Sequence, residues 1–527
     1  MSERKDNMNN KNKAWSQYEE GKAYKRSIGL YETNRRNERF YRGDQWYGYG
    51  GADIPRPVFN VIRRVVDFLV CSVASSDISI RYTDENIPFM TDEAAAEAVK
   101  RSLNVLTRNA AHRWEKNSMS SKSYRLLTDA AVSGDGVLYC YWDPDIKAPQ
   151  GFCGDIVTEI IDNVNLFVSD VNRADIQSQD YIILSSRASV SSLRREAMKY
   201  GLSAEEALKI RADGSYDTQS GDLSYKELVG DEEEKTTYII KFWREDGKVV
   251  FEKSAKDCVI RRVYTDCRLY PVAYFNWYPT KNSFHGTSPV TSLIPNQKFI
   301  NRAYALAMKH MTDTAFSKVV YDKSKIPEWS NGVGEAIAAL GGGCVSDAVS
   351  VVGVGDMQDG YMELIENAMN VTKELMGATD SALGNIDADN TSAIIALQET
   401  SRITLEQIRA GYYQCIEDMA NIWADMMCAY YPNERLLPYG NAGETLAEEV
   451  DFRLLKKGML CARIDVAPVA RYTAVSSQNM LDKLLDGGYI TPESYVKRLP
   501  SGIIHDRELL IEEMQNKKKE GIFNGAE

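Results

Sequence analysis

The sequence predicts an α+β protein in which helices predominate, and the second half of the chain gives the clearest evidence for helices. From residue 392 to residue 431 there is no proline and a single glycine, Gly411. Apolar side chains recur there at intervals of three and four from Leu405 to Met427, which is typical of one amphipathic helix. At about 1.5 Å per residue this helix would be about 60 Å long, far beyond the average of about 11–12 residues. Its length indicates an architectural role.

The part of the chain before residue 286 supplies most of the predicted strands. A frayed polar tail that leads into a helix over residues 1–36, a hairpin turn at Asp246-Gly247 and a loop over 212–234 are also expected. Helices are expected at 58–75, 93–113, 118–132 and 193–200. Strands are expected at 77–82, 137–142, 154–161, 165–168, 181–186, 236–244, 248–252, 259–264 and 272–277.

Helical patterns return after residue 286. Ser288 and Pro289 are a typical N-cap and first-turn pair, and they open a helix that is expected to reach residue 316. Strands at 317–321 and 344–354 flank a glycine-rich stretch, so a small αβ insertion separates this helix from the next one at 361–376. Strands at 451–470 and helices at 480–485 and 492–499 complete the chain.

Composition limits the classes of function. A chain of 527 residues is expected to form about two to four folding units, and its 30 tyrosines suit half-hydrated interfaces. The net charge of −12 argues against a protein that grips nucleic acid tightly through phosphates, but it permits a surface past which DNA slides. No apolar run is long enough for a membrane-spanning helix and the N-terminus lacks a signal sequence, so we expect no membrane contact and use in a cytoplasm.

Motifs for catalysis or cofactor binding are absent from the sequence. There is no P-loop and no G-x-S-x-G elbow, and the nine cysteines and four histidines are too scattered for a zinc site. Asp387 and Asp389 could hold a hard cation, although solvated loop carboxylates are favoured. Phe40, Tyr41 and Trp46 could stack on sugars or bases, but we favour their packing of a turn onto the next helix. No catalytic, cofactor-binding or metal-binding residue is therefore predicted.

Several segments, taken in order, resemble the portal proteins of tailed bacteriophages, the head–tail connectors. They are NERFYRGDQW at 37–46, RPVFN at 56–60, VNLFVSD at 164–170 with DYII at 180–183, GTSP at 286–289 leading to Gln297 and Asn301, and the stretch 384–398. The resemblance covers residues 30 to 500. It implies a structural protein without cofactor or enzymatic activity.

The resemblance also implies an assembly and its partners. Portal subunits form a ring, usually of twelve, at one capsid vertex of the virion, where the channel carries double-stranded DNA during packaging and ejection. The expected partners are the terminase large subunit, the major capsid or scaffold protein and a head–tail adaptor, with assembly in the host cytoplasm.

The family's parts map onto the chain in order. They are the N-terminal tail and wing at 1–288, the first stem helix at 289–316, the clip at 317–358, the second stem helix at 359–376, the tunnel loop at 377–391, the long spanning helix at 392–431, the wing return strands at 432–472, and the crown and C-terminal tail at 473–527.

Three sets of candidate site residues follow from this map. The tunnel loop facing DNA would include Leu383, Gly384, Asn385, Asp387, Asp389 and Asn390. Candidate phosphate contacts are Lys309, Lys318, Lys323 and Lys325, for which a solvated surface role is an equal alternative. The clip interface would include Val319, Tyr321, Trp329, Val349 and Val351, because short strands with exposed edges and no core of their own gain most by pairing with a neighbouring subunit.

Two other functions remain open from the sequence. One is a different ring-forming head–tail or baseplate structural protein. The other is a carbohydrate-active hydrolase, which would require a pair of carboxylates about 5–10 Å apart in a cleft.

Overall fold

A computed structural model of the chain describes most of its residues. The described ranges are 2–50, 54–74, 78–147, 151–213, 234–314, 318–330, 337–341, 344–352, 360–378, 405–440, 446–456, 458–466 and 480–499, together with residues 510 and 514. Within them, no helix is both long and apolar enough to cross a bilayer.

Helices and strands are mixed along the chain, which confirms the α+β prediction. The helices are α1 (Ser2–Ser27), α2 (Leu30–Arg42), α3 (Val61–Ala74), α4 (Glu93–Lys116), α5 (Met119–Ser133), α6 (Val190–Lys199), α7 (Ala204–Ala207), α8 (Pro289–Thr314), α9 (Gly360–Glu374), α10 (Glu406–Tyr430), α11 (Phe452–Leu455) and α12 (Pro492–Arg498). The strands are β1 (Ile78–Asp84), β2 (Asp135–Lys147), β3 (Cys153–Ile160), β4 (Leu166–Val168), β5 (Tyr181–Ser189), β6 (Lys235–Glu245), β7 (Lys248–Ala255), β8 (Cys258–Tyr264), β9 (Val272–Asn276), β10 (Lys318–Tyr321), β11 (Val349–Val352), β12 (Glu434–Tyr439), β13 (Leu446–Asp451) and β14 (Leu460–Val466).

The strands form antiparallel sheets. The larger ones are a five-stranded sheet in the order β4-β5-β6-β7-β8 and a three-stranded sheet in the order β3-β2-β9. β1 pairs with β14, although the two strands lie far apart in the chain, and β10 pairs with β11 and β12 with β13. The predicted hairpin turn is confirmed, because Asp246 and Gly247 both have positive φ, at 50° and 76°.

The main core forms around the long helix α10 and the three-stranded sheet. Trp423, Cys415, Ile416 and Met419 are completely buried there, among side chains from α3, α4, α5 and β9. The indole N–H of Trp423 donates to Thr158 Oγ1 over 2.8 Å, which joins α10 to β3. The predicted amphipathic helix is therefore present over Glu406–Tyr430, and the predicted residues 392–404 lie outside the described part of the chain.

The frayed N-terminal tail was a wrong prediction for the residues whose side chains are described. α1 lies against the five-stranded sheet, where Ala14 and Tyr18 are buried beside Phe167. The Lys25 ammonium donates to the carbonyls of Asn163, Val164 and Leu166 over 2.8, 2.9 and 2.5 Å. These partners lie far away in the chain, so the local polarity of the segment gave no indication of them.

The prediction of strands over 451–470 was only partly correct. The chain first makes the hairpin β12–β13, turns through α11 and then forms β14 against β1. The strand expected at 344–354 is also shorter, since a 3-10 turn occupies Val345–Asp347 before β11 begins.

Candidate functional site

The candidate site is built on two helices, α8 and α9, which we call the helical pair, and on residues 318–352 between them, the insertion. The Tyr361 hydroxyl of α9 donates to the carbonyl of Ala303 in α8 over 3.2 Å. The Tyr304 hydroxyl of α8 lies 3.8 Å from the Met369 sulfur of α9. The two helices therefore pack against each other, and one face of each helix forms this contact.

Much of the remaining surface of the helical pair is apolar and exposed. Leu306 and Met311 on α8 are 47% and 55% exposed, and Leu364 on α9 and Leu375 directly after it are 53% and 67% exposed. Among the described side chains of α9 only Ile365 and Thr372 are buried. Two neighbouring helices that expose such large apolar side chains present a surface suited to another protein.

Gln297 anchors α8 to the start of α3. Its Oε1 accepts hydrogen bonds from the backbone N–H groups of Val61 and Ile62 over 3.0 and 3.3 Å, so it caps a helix that lies far away in the chain. Its Nε2 donates to the Phe59 carbonyl over 2.7 Å and to Asn301 Oδ1 over 2.9 Å. Gln297 has no exposed surface, so all four bonds are shielded from water.

The same cluster continues into the N-terminal part of the chain. Asn301 Nδ2 donates to Gln45 Oε1 over 2.6 Å, and Gln45 Nε2 donates to the Phe40 carbonyl and to Asn60 Oδ1. Trp46 donates its indole N–H to the Pro57 carbonyl, and the Tyr41 hydroxyl donates to Asp67 of α3 over 2.8 Å. This aromatic segment therefore packs a turn onto the next helix, as favoured from the sequence. Three of the segments that carry the resemblance therefore meet in one hydrogen-bonded cluster.

A second polar cluster holds the segment that leads into α8. The fully buried Asp135 Oδ2 lies 2.6 Å from His285 Nδ1, and Oδ1 accepts from the N–H of Gly286 over 2.7 Å. Asn163 and Asn276 each donate to the same carboxylate over 2.9 Å. Burial acts to raise the pKa of Asp135, but His285, Gly286 and Asn163 outweigh it and hold this pKa below its usual range.

Sequence reasoning missed the role of Asp135 and His285. They are 150 residues apart, and no spacing motif links a lone aspartate to a lone histidine. The nearby N-cap was predicted correctly: Ser288 Oγ accepts from the N–H of Val290 over 3.0 Å and donates to the Ala131 carbonyl over 2.6 Å.

The two strands of the insertion pair with each other. Val319 lies opposite Val351, and Tyr321 opposite Val349. The expectation that the insertion lacks a core was wrong, because Ile326 and Ala348 are buried and the Tyr321 ring stacks on Trp329 at 5.3 Å. Pairing of an outer strand edge with a neighbouring subunit stays a prediction.

The structure describes only some of the other predicted site residues. Lys309 on α8 and Lys325 in the insertion are half-buried, and Lys323 is exposed. The side chains of Lys318 and Val351 are not described, although both residues have backbone positions in strands. All six predicted tunnel-loop residues, from Leu383 to Asn390, lie outside the described part of the chain.

Comparison with known proteins bears directly on the helical pair and the insertion. Residues 261–438 match the family model of the phage P22-like portal proteins. The predicted resemblance to a portal protein is confirmed. The matched segment begins in β8, contains the helical pair, the insertion and the long helix α10, and ends in β12.

A comparison of folds also finds a relative over most of the chain. It is a chain in the virion of a native gene transfer agent particle, with 11% sequence identity and a TM-score of 0.40, and the alignment covers 88% of this chain and 91% of that chain. No curated protein matches the sequence.

The hydrolase alternative requires two carboxylates across a cleft, and α10 offers one such pair. Asp418 and Asp425 line a cavity of about 580 Å³, and burial raises the pKa of both. Asp425 Oδ2, however, accepts from the backbone N–H groups of Arg268 and Leu269 over 2.7 and 2.9 Å, which is a structural role. The two residues are also two helical turns apart, about 10.5 Å at 1.5 Å per residue. In the described part of the chain, no group of three or more acidic, histidine or cysteine side chains is arranged to hold a metal ion.

Proposed function

We propose that this chain is the subunit of a phage portal, a ring at one capsid vertex through which DNA is packaged and ejected. The observation that carries the proposal is the family match over residues 261–438, the segment that holds the helical pair and the insertion. In this function α8 and α9 are the two stem helices and the insertion is the clip. Residues 377–391 are the tunnel loop, α10 belongs to the long spanning helix, and the remainder forms the wing and crown.

The exposed apolar surface of the helical pair supports the ring. Leu306, Met311, Leu364 and Leu375 would be covered when the helices of one subunit pack against those of the next. Covering apolar area stabilises association by about 25 cal/mol per Å² removed from water. Contacts between two different surfaces of the same subunit are heterologous, and they close into a ring when the rotation between subunits closes.

The charge of the chain suits a passive conduit for DNA. A net charge of −12 reduces adhesion of the phosphate backbone to the walls, while a few lysines such as Lys309 and Lys323 provide brief contacts. Because the sequence contains no P-loop, the motor resides on a partner, the terminase large subunit. The polar tunnel loop would form a weakly interacting collar around the DNA.

The insertion is the proposed docking surface for the terminase and, later, for a head–tail adaptor. Within the described residues, β10 and β11 form a two-stranded antiparallel sheet with an outer edge on each strand, and Val320 is 59% exposed. Unpaired strand edges bind an added strand through main-chain hydrogen bonds, and the side chains beside them set the specificity.

Ring formation is tested by native mass spectrometry and negative-stain imaging of the purified chain. We expect a ring with an axial hole. Leu364→Glu on α9 should convert the ring to folded monomers, because it places a charge in the subunit contact. Leu208→Glu is the matched control: Leu208 is 60% exposed on the wing segment after α7, and its substitution should leave the ring intact. A wild-type chain that stays monomeric at all concentrations would contradict the proposal.

The tunnel loop is tested separately in assembled particles. Deletion of residues 383–390 should leave ring assembly unchanged and impair DNA packaging or retention. Particles of the deletion variant that hold a normal amount of DNA would exclude a channel role for the loop.

A further inference from the structure

A cleft of about 440 Å³ lies where α2 meets α8. α2 supplies one wall, the turn that follows α2 supplies a second, and Lys298 of α8 closes the third side. The cleft is next to the Gln45–Asn301 contact but does not include the exposed apolar surface of the helical pair.

Positive charge is concentrated in this cleft. Four cationic side chains line it, Arg35, Arg36, Arg39 and Lys298, against the two carboxylates of Glu32 and Asp44. This local surplus of positive charge contrasts with the net charge of −12 of the whole chain. Arg39 is three and four residues beyond Arg36 and Arg35, so it neighbours both on the helix surface, and all three line the cleft.

The lining carboxylates neutralise these cations only in part. The contact of Arg39 with Asp44 across the cleft is long, at 3.9 Å. The Nε of Arg35 is buried without a hydrogen-bond partner in the described part of the chain. A buried donor without an acceptor is destabilising, so an anion that accepts its hydrogen bond would remove this penalty.

Aromatic rings stand beside the cations. Tyr47 and Tyr49 line the cleft and are 67% and 53% exposed, so each ring has surface left for a ligand. The Arg39 guanidinium already lies 3.6 Å from the centre of the Tyr47 ring, while Trp46 contacts Tyr49 edge-on at 5.3 Å. Cationic groups interleaved with exposed aromatic faces are the arrangement with which proteins bind single-stranded nucleic acid.

We propose that this cleft binds single-stranded nucleic acid. The guanidinium groups of Arg35 and Arg36 and the ammonium group of Lys298 contact phosphodiester oxygens, and Tyr47 stacks on a base. A free phosphate would fill only a small part of a 440 Å³ cleft and would leave the tyrosines unused. The inference does not rest on the ring or the channel, because all the residues belong to one chain.

The experiment measures fluorescence anisotropy of a labelled single-stranded DNA of about 12 nucleotides with the full-length chain. The double variant Arg36→Gln/Lys298→Gln changes two exposed side chains and should preserve the fold, as checked by circular dichroism. It should reduce the slope of log K against log salt by about 1.4, since each phosphate contact contributes about 0.7 for a single strand. At about 0.1 M salt this corresponds to a loss of about 25-fold in affinity.

Two further variants make the result specific to the cleft. Arg195→Gln removes an exposed arginine of α6 and should leave the affinity and the salt slope unchanged. Tyr47→Leu should weaken binding about tenfold with no change of salt slope, because stacking is not electrostatic.

Three outcomes would overturn the inference. One is absence of DNA binding by the wild-type chain, and another is equal affinity of the double variant and the wild type. The third is equal binding of poly-glutamate of matched charge, which would assign the cleft to an acidic polypeptide.

Discussion

Replacement of Gln297 by Met tests whether one buried amide joins α8 to α3. Methionine preserves the length and volume of the side chain but makes none of the four hydrogen bonds of Gln297. The substitution would leave the N–H of Ile62 and Asn301 Oδ1 without their partner, whereas the N–H of Val61 still donates to the Phe59 carbonyl over 2.8 Å. Each group that loses its partner costs about 1–3 kcal/mol, so the sum after partial relaxation of the surroundings is about 2–4 kcal/mol.

Amide hydrogen exchange is the appropriate assay, because a chain of this size does not unfold in a single two-state transition. We expect the amide of Ile62 to lose protection in Gln297→Met, while the amides in the middle of α10 keep theirs. The control is Gln414→Met, since the exposed Gln414 amide donates to Asp418 and to no other residue that the structure describes, and its loss should cost less than about 0.5 kcal/mol. Unchanged exchange at residue 62 in the Gln297 variant would refute the reasoning.

Two further predictions concern the buried charged side chains of Asp155 and Lys25. Burial acts to raise the pKa of Asp155, but Arg113 and Lys116 outweigh it and hold this pKa below its usual range. A carboxyl whose folded pKa is depressed contributes stability above the unfolded pKa of about 3.9 and loses it as the pH falls through the folded pKa. The difference in melting temperature between wild type and Asp155→Asn should therefore be large at pH 7 and shrink below about pH 4; a constant difference would refute this. Lys25→Met should remove one hydrogen-bond donor from three carbonyls, although that of Asn163 still accepts from the N–H of Leu166, and should release α1 from the sheet at a cost of about 2–4 kcal/mol. Proteolysis within α1 that is no faster than in wild type would count against this prediction.

The elements that sequence patterns predicted well are those whose causes are local. The turn at Asp246-Gly247 needs two residues that tolerate positive φ, and the cap at Ser288 needs a hydroxyl one residue before a proline. The apolar spacing of α10 likewise reflects the period of a single helix. Each of these signals is complete within a few turns of chain, so no knowledge of the rest of the fold was required.

The sequence by itself determined the class of the fold, the order of most of its helices and strands, and the resemblance to portal proteins that the match over residues 261–438 confirmed. Only the tertiary structure decided which distant residues meet. Gln297 caps α3, Asp135 holds His285, and Lys25 donates to carbonyls of the segment that leads into β4. These contacts depend on the relative placement of whole elements, and a lone glutamine, aspartate or lysine has no periodicity that marks its partner. The basic cleft between α2 and α8 also depends on how whole elements are placed, because its arginines and Lys298 come from opposite halves of the chain.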